Sequence, residues 1–139
     1  MKSEDFIVEL MDLIKDNRLC GISIGDPVHQ IQNIFGSPEL PKVRLGRRSK
    51  YKLWSHLYGN LSFVSDDNDV IVSIDIDLHG NRRKYVDALH EKKSLNEWMI
   101  FFAENNWNVR KYDGVISANS NGISISFSLS GKLEMVSLH

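Results

Sequence analysis

Cysteine is almost missing from this chain. Cys20 is the only one, so no internal disulfide can form, and its neighbours Leu19, Gly21 and Ile22 predict an inert, buried thiol. Long hydrophobic runs are missing too. No stretch reaches the ~20 apolar residues of a membrane-spanning helix, and the N-terminal MKSEDF is acidic where a secretory leader begins basic. A cytoplasmic protein with no membrane partner is expected. Charge of one sign is also lacking: 17 Lys and Arg against 18 Asp and Glu leave a formal net charge of -1, which excludes global steering towards nucleic acid or lipid. Any electrostatic partner must be met by a local patch. Repeats, low-complexity tracts and linkers are absent, and 139 residues is the length of one domain, expected over 1–139.

Catalytic signatures are missing as well. None of the five histidines, His29, His56, His79, His90 and His139, lies in an HExxH or CxxC context, and no serine sits in a GxSxG elbow. No catalytic residue is assigned and a non-enzyme without cofactor is expected. Asp66-Asp67-Asn68-Asp69 has the composition of a calcium loop, but the positions that need glycine and glutamate hold Ile71 and Asp77. Asp75, Asp77 and His79 would project from one side of a strand, yet a metal needs further ligands around it. No metal site is predicted.

What the chain does have is alternation. In Val70–Leu78, VIVSIDIDL, the residues Val70, Val72, Ile74, Ile76 and Leu78 fall on one face of an extended strand and Ser73, Asp75 and Asp77 on the other. The two carboxylates then lie roughly 6.5–7 Å apart on a solvated face. Ile123, Ile125, Phe127 and Leu129 likewise alternate with Ser124, Ser126, Ser128 and Ser130, the pattern of a sheet with one face open to water.

Around these strands, residues 3–18 predict an amphipathic helix capped by Ser3, with Glu4 and Asp5 in its first turn and Phe6, Ile7, Leu10, Met11, Leu13 and Ile14 as its stripe. Asp26 and Pro27 predict the cap and first position of a short second helix, ended by Gly36. Residues 37–50 read as a long loop. Strands follow near 51–57, 60–65 and 69–78, turning at Tyr58-Gly59-Asn60 and Asp66-Asp67-Asn68 as a meander. Ser94 and Glu97 form a capping box for a helix over 94–106, and strands at 107–112, 115–118, 122–129 and 133–138 close the chain. The predicted class is α+β: an antiparallel, meander-type sheet with two main helices and one short helix packed on one face.

Two charged features are candidate binding residues. The first is acidic: Asp66, Asp67, Asp69, Asp75 and Asp77. The second is the segment 42–52, with six positive charges in eleven residues, among them Lys42, Arg44, Arg47, Arg48 and Lys50, and with Tyr51 and Trp54 near for stacking. A charge run most often marks a solvated loop, and the neighbouring acids would repel phosphate, so a protein partner is expected ahead of nucleic acid.

Several short pieces then follow in order: Ile22-Ser23-Ile24-Gly25-Asp26-Pro27, Ile34-Phe35-Gly36-Ser37-Pro38, Tyr58-Gly59-Asn60-Leu61-Ser62-Phe63 and the strand Val70–Leu78. Over residues 20–78 this resembles the small bacterial immunity proteins encoded beside polymorphic or contact-dependent growth-inhibition toxins. The resemblance implies a cytoplasmic, non-enzymatic inhibitor that binds the toxic C-terminal domain of a cognate effector, possible nucleases included. In that case Asp66, Asp67, Asp69, Asp75 and Asp77 would occlude a basic cleft. The alternative from another class is a small RNA-associated protein that binds through the basic segment 42–52.

Overall fold

The computed structural model describes residues 6–38, 40–46, 52–80, 84–90 and 92–139. It is a mixed α+β fold with three helices, α1 (Leu10–Asp16), α2 (His29–Phe35) and α3 (Leu95–Glu104), and ten strands. Eight strands form one antiparallel sheet: β2 (Val43–Leu45), β3 (Leu53–Tyr58), β4 (Leu61–Ser65), β5 (Ile71–Asp77), β10 (Leu133–Leu138), β9 (Ile123–Ser128), β8 (Val115–Ser120) and β7 (Asn108–Tyr112), in that spatial order. It is two four-stranded meanders, β2 to β5 and β7 to β10, joined where their last strands pair. Short turns make each meander. Asp113-Gly114 and Asn121-Gly122 both hold positive φ at their two positions (49° and 76°, 41° and 82°), the type I′ geometry that matches strand twist and that glycine accepts without strain.

Each meander carries its own aromatic cluster. Phe35 of α2 meets Tyr58 and Phe63 of the first. Trp98 and Phe102 of α3 meet Phe127 of the second, with Trp107 against Phe102. These rings join one core of buried apolar residues in which Ile74, Ile76, Ile125 and Phe127 are fully buried, as the alternation predicts. The α3 capping box also forms: Ser94 Oγ accepts from Glu97 N at 3.2 Å and Glu97 Oε1 accepts from Ser94 N at 3.1 Å. The Ser94 backbone N–H first, and its hydroxyl second, hold the Glu97 carboxyl below its usual pKa. Ser94→Ala is therefore expected to cost about 1 kcal/mol, read as a shift in the denaturation midpoint with unchanged slope.

Four local expectations are corrected and one strand is added. Ser3, Glu4 and Asp5 lie outside the described residues, but the helix predicted over 3–18 begins only at Leu10. Phe6–Glu9 is a strand, β1, paired in parallel with β6 (Val86–Leu89). Phe-Ile-Val suits a pleated surface as well as a helix stripe, and a parallel partner 80 residues away tips the balance. β6 itself was not foreseen. Residues 37–50 are not all loop, since Val43–Leu45 pairs with Ser55–Leu53. At the second helix, Asp26 does not cap: its Oδ2 accepts from Ser23 N at 2.8 Å, Pro27 bridges Val70, and the helix starts at His29 behind an uncapped Val28. Finally, the phase of Val70–Leu78 changes at a bulge, where Val64 faces Ser73 but Ser65 faces Ile71. Ile71 is thereby fully buried and Val70 and Val72 are only half-buried. An extra residue in one strand reverses which face the earlier ones occupy.

Candidate binding surfaces

The less buried side of the alternation forms a polar ladder. In register across six strands lie Ser62, Asp75, Ser137, Ser124, Asn119 and Asn108. At about 4.8 Å per strand the row spans roughly 24 Å. The next row carries Asp77, Met135, Ser126, Ser117 and Arg110. Ser137 Oγ donates to Asp75 Oδ1 at 2.6 Å and Ser124 Oγ donates to Asn119 Oδ1 at 2.6 Å, so short side chains lock one another flat. Such a surface lets another backbone approach closely, and Asp75 is the one charged group in the long row. The serine alternation of β9 was legible in the sequence. Its alignment with Asp75 was not, because it depends on β5 pairing β10, two strands about sixty residues apart.

The five predicted acids do not make one strip. Asp66 closes the β4–β5 turn, its Oδ1 accepting from Asn68 N at 2.9 Å and Val70 N at 3.0 Å. Asp67 is exposed beside it. Asp69 sits with φ 59° and lies 3.9 Å from Lys42 Nζ. Asp75 lies about 13 Å along β5 from Ile71, the first strand residue after that turn. Asp77 Oδ1 is occupied by the amides of His79 and Gly80 at 2.9 and 3.0 Å, and His79 Nδ1 lies 3.0 Å from Glu134. Among the described residues no three His, Cys, Asp or Glu side chains converge as a metal site.

Of the cations of the basic segment, Lys42, Arg44 and Lys52 are described. Arg47, Arg48, Lys50 and the stacking candidate Tyr51 lie outside the described residues. Lys42 Nζ stands 4.6 Å over the Trp54 ring, a cation–π contact, with Asp69 on its other side. Lys42 and Asp69 line a cavity of about 520 Å³ together with His29, Gln32 and His56. His56 is 7% exposed and its Nε2 lies 2.8 Å from the buried Ser65 Oγ. Burial first and the Lys42 charge second hold its pKa below the ordinary histidine value, against an opposing pull from Asp69. A histidine kept neutral in the fold but protonated in the unfolded chain makes stability fall with acid. Full stability is therefore expected above about pH 6.5, with loss as pH drops from there towards the folded pKa. A His56→Gln variant should lose that slope in denaturation series across pH. No motif announced this cavity, because its walls come from three distant segments.

Cys20 is half-buried rather than buried, beside a second cavity of about 830 Å³ that also reaches Glu9, Asp12 and Arg18. Burial raises its thiol pKa, which lowers its reactivity. No helix among the described residues is long and apolar enough to cross a membrane. No family model, curated protein or solved structure matches the chain.

Proposed function

We propose that the protein is an immunity-type inhibitor, binding and neutralising the toxic C-terminal domain of a cognate effector through the open sheet face around Asp75. The observation that carries this reading is the six-strand ladder of Ser62, Asp75, Ser137, Ser124, Asn119 and Asn108. It is flat, polar and self-bonded, with a single carboxylate at hand for a cation, and it is built for contact with a large surface rather than enclosure of a small substrate. The family resemblance over 20–78 points the same way. Asp75, with Asp77 in the adjoining row, faces a basic partner, and exposed Asp67 lies at the same strand's far end. The rival nucleic-acid reading is less favoured because Lys42 is already engaged by Trp54 and by the Asp69 carboxylate.

An inhibitor that must outcompete a toxin's substrate needs a dissociation constant near ~1 nM, or about −12 kcal/mol. Titration against the toxic domain encoded by the adjacent gene tests this. Asp75→Lys is the informative variant, since Asp77→Lys would also remove the turn bonds to His79 and Gly80. Slower association and a flattened salt dependence are expected for Asp75→Lys. An unchanged association rate removes the open face from the contact. Failure of the wild type to bind any neighbouring gene product removes the immunity reading altogether.

A further inference from the structure

β2 is the last strand of the sheet, and among the described residues no strand pairs with its outer side. Proteins guard such edges with charge, proline or bulges, because an open edge is a template for another strand. The opposite edge follows that rule: in β7, the neighbours Arg110 and Lys111 put a cation on each face. β2 does not. Val43 is 57% exposed and Leu45 is 38% exposed, on either side of Arg44, and Leu40 just before them is 61% exposed. By the alternation of a strand, Val43 and Leu45 share the open face, while Lys42 and Arg44 share the other.

The segment's own charge has one sign, and the one carboxylate set against it, Asp69, lies 3.9 Å from Lys42 Nζ and leaves Arg44 without an ion pair among the described residues. No Asp or Glu occurs from Leu40 to His56 in the sequence, and Lys42, Arg44 and Lys52 are all exposed. A second copy pairing β2 to β2 would set these cations against their own counterparts, which is destabilising across strands. A phosphate backbone would leave Val43 and Leu45 uncovered.

We propose that the β2 edge takes up an extended acidic segment of a partner protein as a ninth strand, one whose carboxylates alternate with apolar side chains. Backbone hydrogen bonds to β2 supply affinity and the alternate side chains supply choice: the apolar ones cover Val43 and Leu45, and a carboxylate meets Arg44, since Lys42 is held by Trp54 and Asp69. This contact uses Arg44, which the Asp75 surface leaves idle, and it stands independently of the open-face reading.

The test is titration of the full chain with a short blocked peptide alternating valine and glutamate, followed by amide NMR shifts and hydrogen exchange. Binding should protect amides within 43–45 and weaken with added salt. It should fall about tenfold or more in Arg44→Glu, while Arg44→Lys, which keeps the charge, retains it. Equal affinity for the valine–glutamine peptide overturns the proposal, as does a footprint elsewhere on the protein. Protection of 43–45 that rises with protein concentration in the absence of peptide assigns the edge to a second copy instead. A footprint at 42–45 from oligouridylate and none from the peptide assigns it to nucleic acid.

Discussion

Replacing Phe35 by alanine is expected to lower the unfolding free energy by about 3–5 kcal/mol, a large share of the roughly 5–15 kcal/mol that holds a domain together. The ring is 6% exposed and meets four others: Phe6 at 5.2 Å, Phe63 at 5.9 Å, Tyr58 at 6.0 Å and Tyr85 at 6.3 Å. Those partners come from β1, β3, β4 and the residue before β6, so one side chain closes the first meander against the parallel pair. Its own helix has seven residues, too few to persist without packing. Truncation therefore removes the buried ring, opens a cavity and releases α2. Tyr58, whose hydroxyl donates to Gly36 O at 2.9 Å, ties the same corner, and burial followed by Tyr85 pushes its pKa up to about 12. Chemical denaturation of Phe35→Ala and Phe35→Leu measures the effect, leucine losing much less because it refills most of the space. A loss under about 1 kcal/mol for alanine would show that the cluster does not close this corner.

The second large effect is expected at Asn60, a polar side chain only 3% exposed. Its carboxamide completes β6 as a strand would. Nδ2 donates to Val86 O at 2.8 Å, and Oδ1 accepts from Tyr85 N at 2.7 Å and Val86 N at 3.4 Å. Its own carbonyl accepts from Asp77 N at 2.9 Å. Alanine removes the side-chain partners of buried backbone groups, and the expected cost is about 2–4 kcal/mol. Hydrogen exchange should speed first at Val86–Leu89, because Asn60 links that strand to the β3–β4 turn. Asn60→Asp gives a signed check. The aspartate puts an oxygen against Val86 O and a charge in a buried site, so its folded pKa rises above the unfolded value. Protonation restores a donor, so the variant should be most stable below about pH 3.9 and lose stability as pH climbs through the raised pKa. Wild-type stability in Asn60→Ala would mean the carboxamide bonds contribute nothing net.

Much of the architecture was legible in the residues alone, and for local reasons. Alternation in Ile123–Ser128 and over Ile74–Asp77 is set by the two-residue pleat. The hairpins follow from Asn-Gly and neighbouring turn residues, and α3 from Ser94 and Glu97, which satisfy each other's amides within a single turn. Where local preferences agree with the fold, the sequence suffices. It ran out where distant segments decide. Phe6–Glu9 is a strand because Val86–Leu89 lies beside it, Val70 and Val72 change face because a bulge admits an extra residue, and Asn60 is read as a turn residue until β6 docks on it. The candidate site divides in the same way. The serines and Asp75 were visible one strand at a time, but the surface they form exists only because β5 pairs with β10, while turn bonding and strand length separate Asp66, Asp67 and Asp69 from Asp75. Composition and period are properties of a segment. Register between segments about sixty residues apart is a property of the packed core, and it alone placed the polar row and left β2, among the described residues, with a neighbour on one side only.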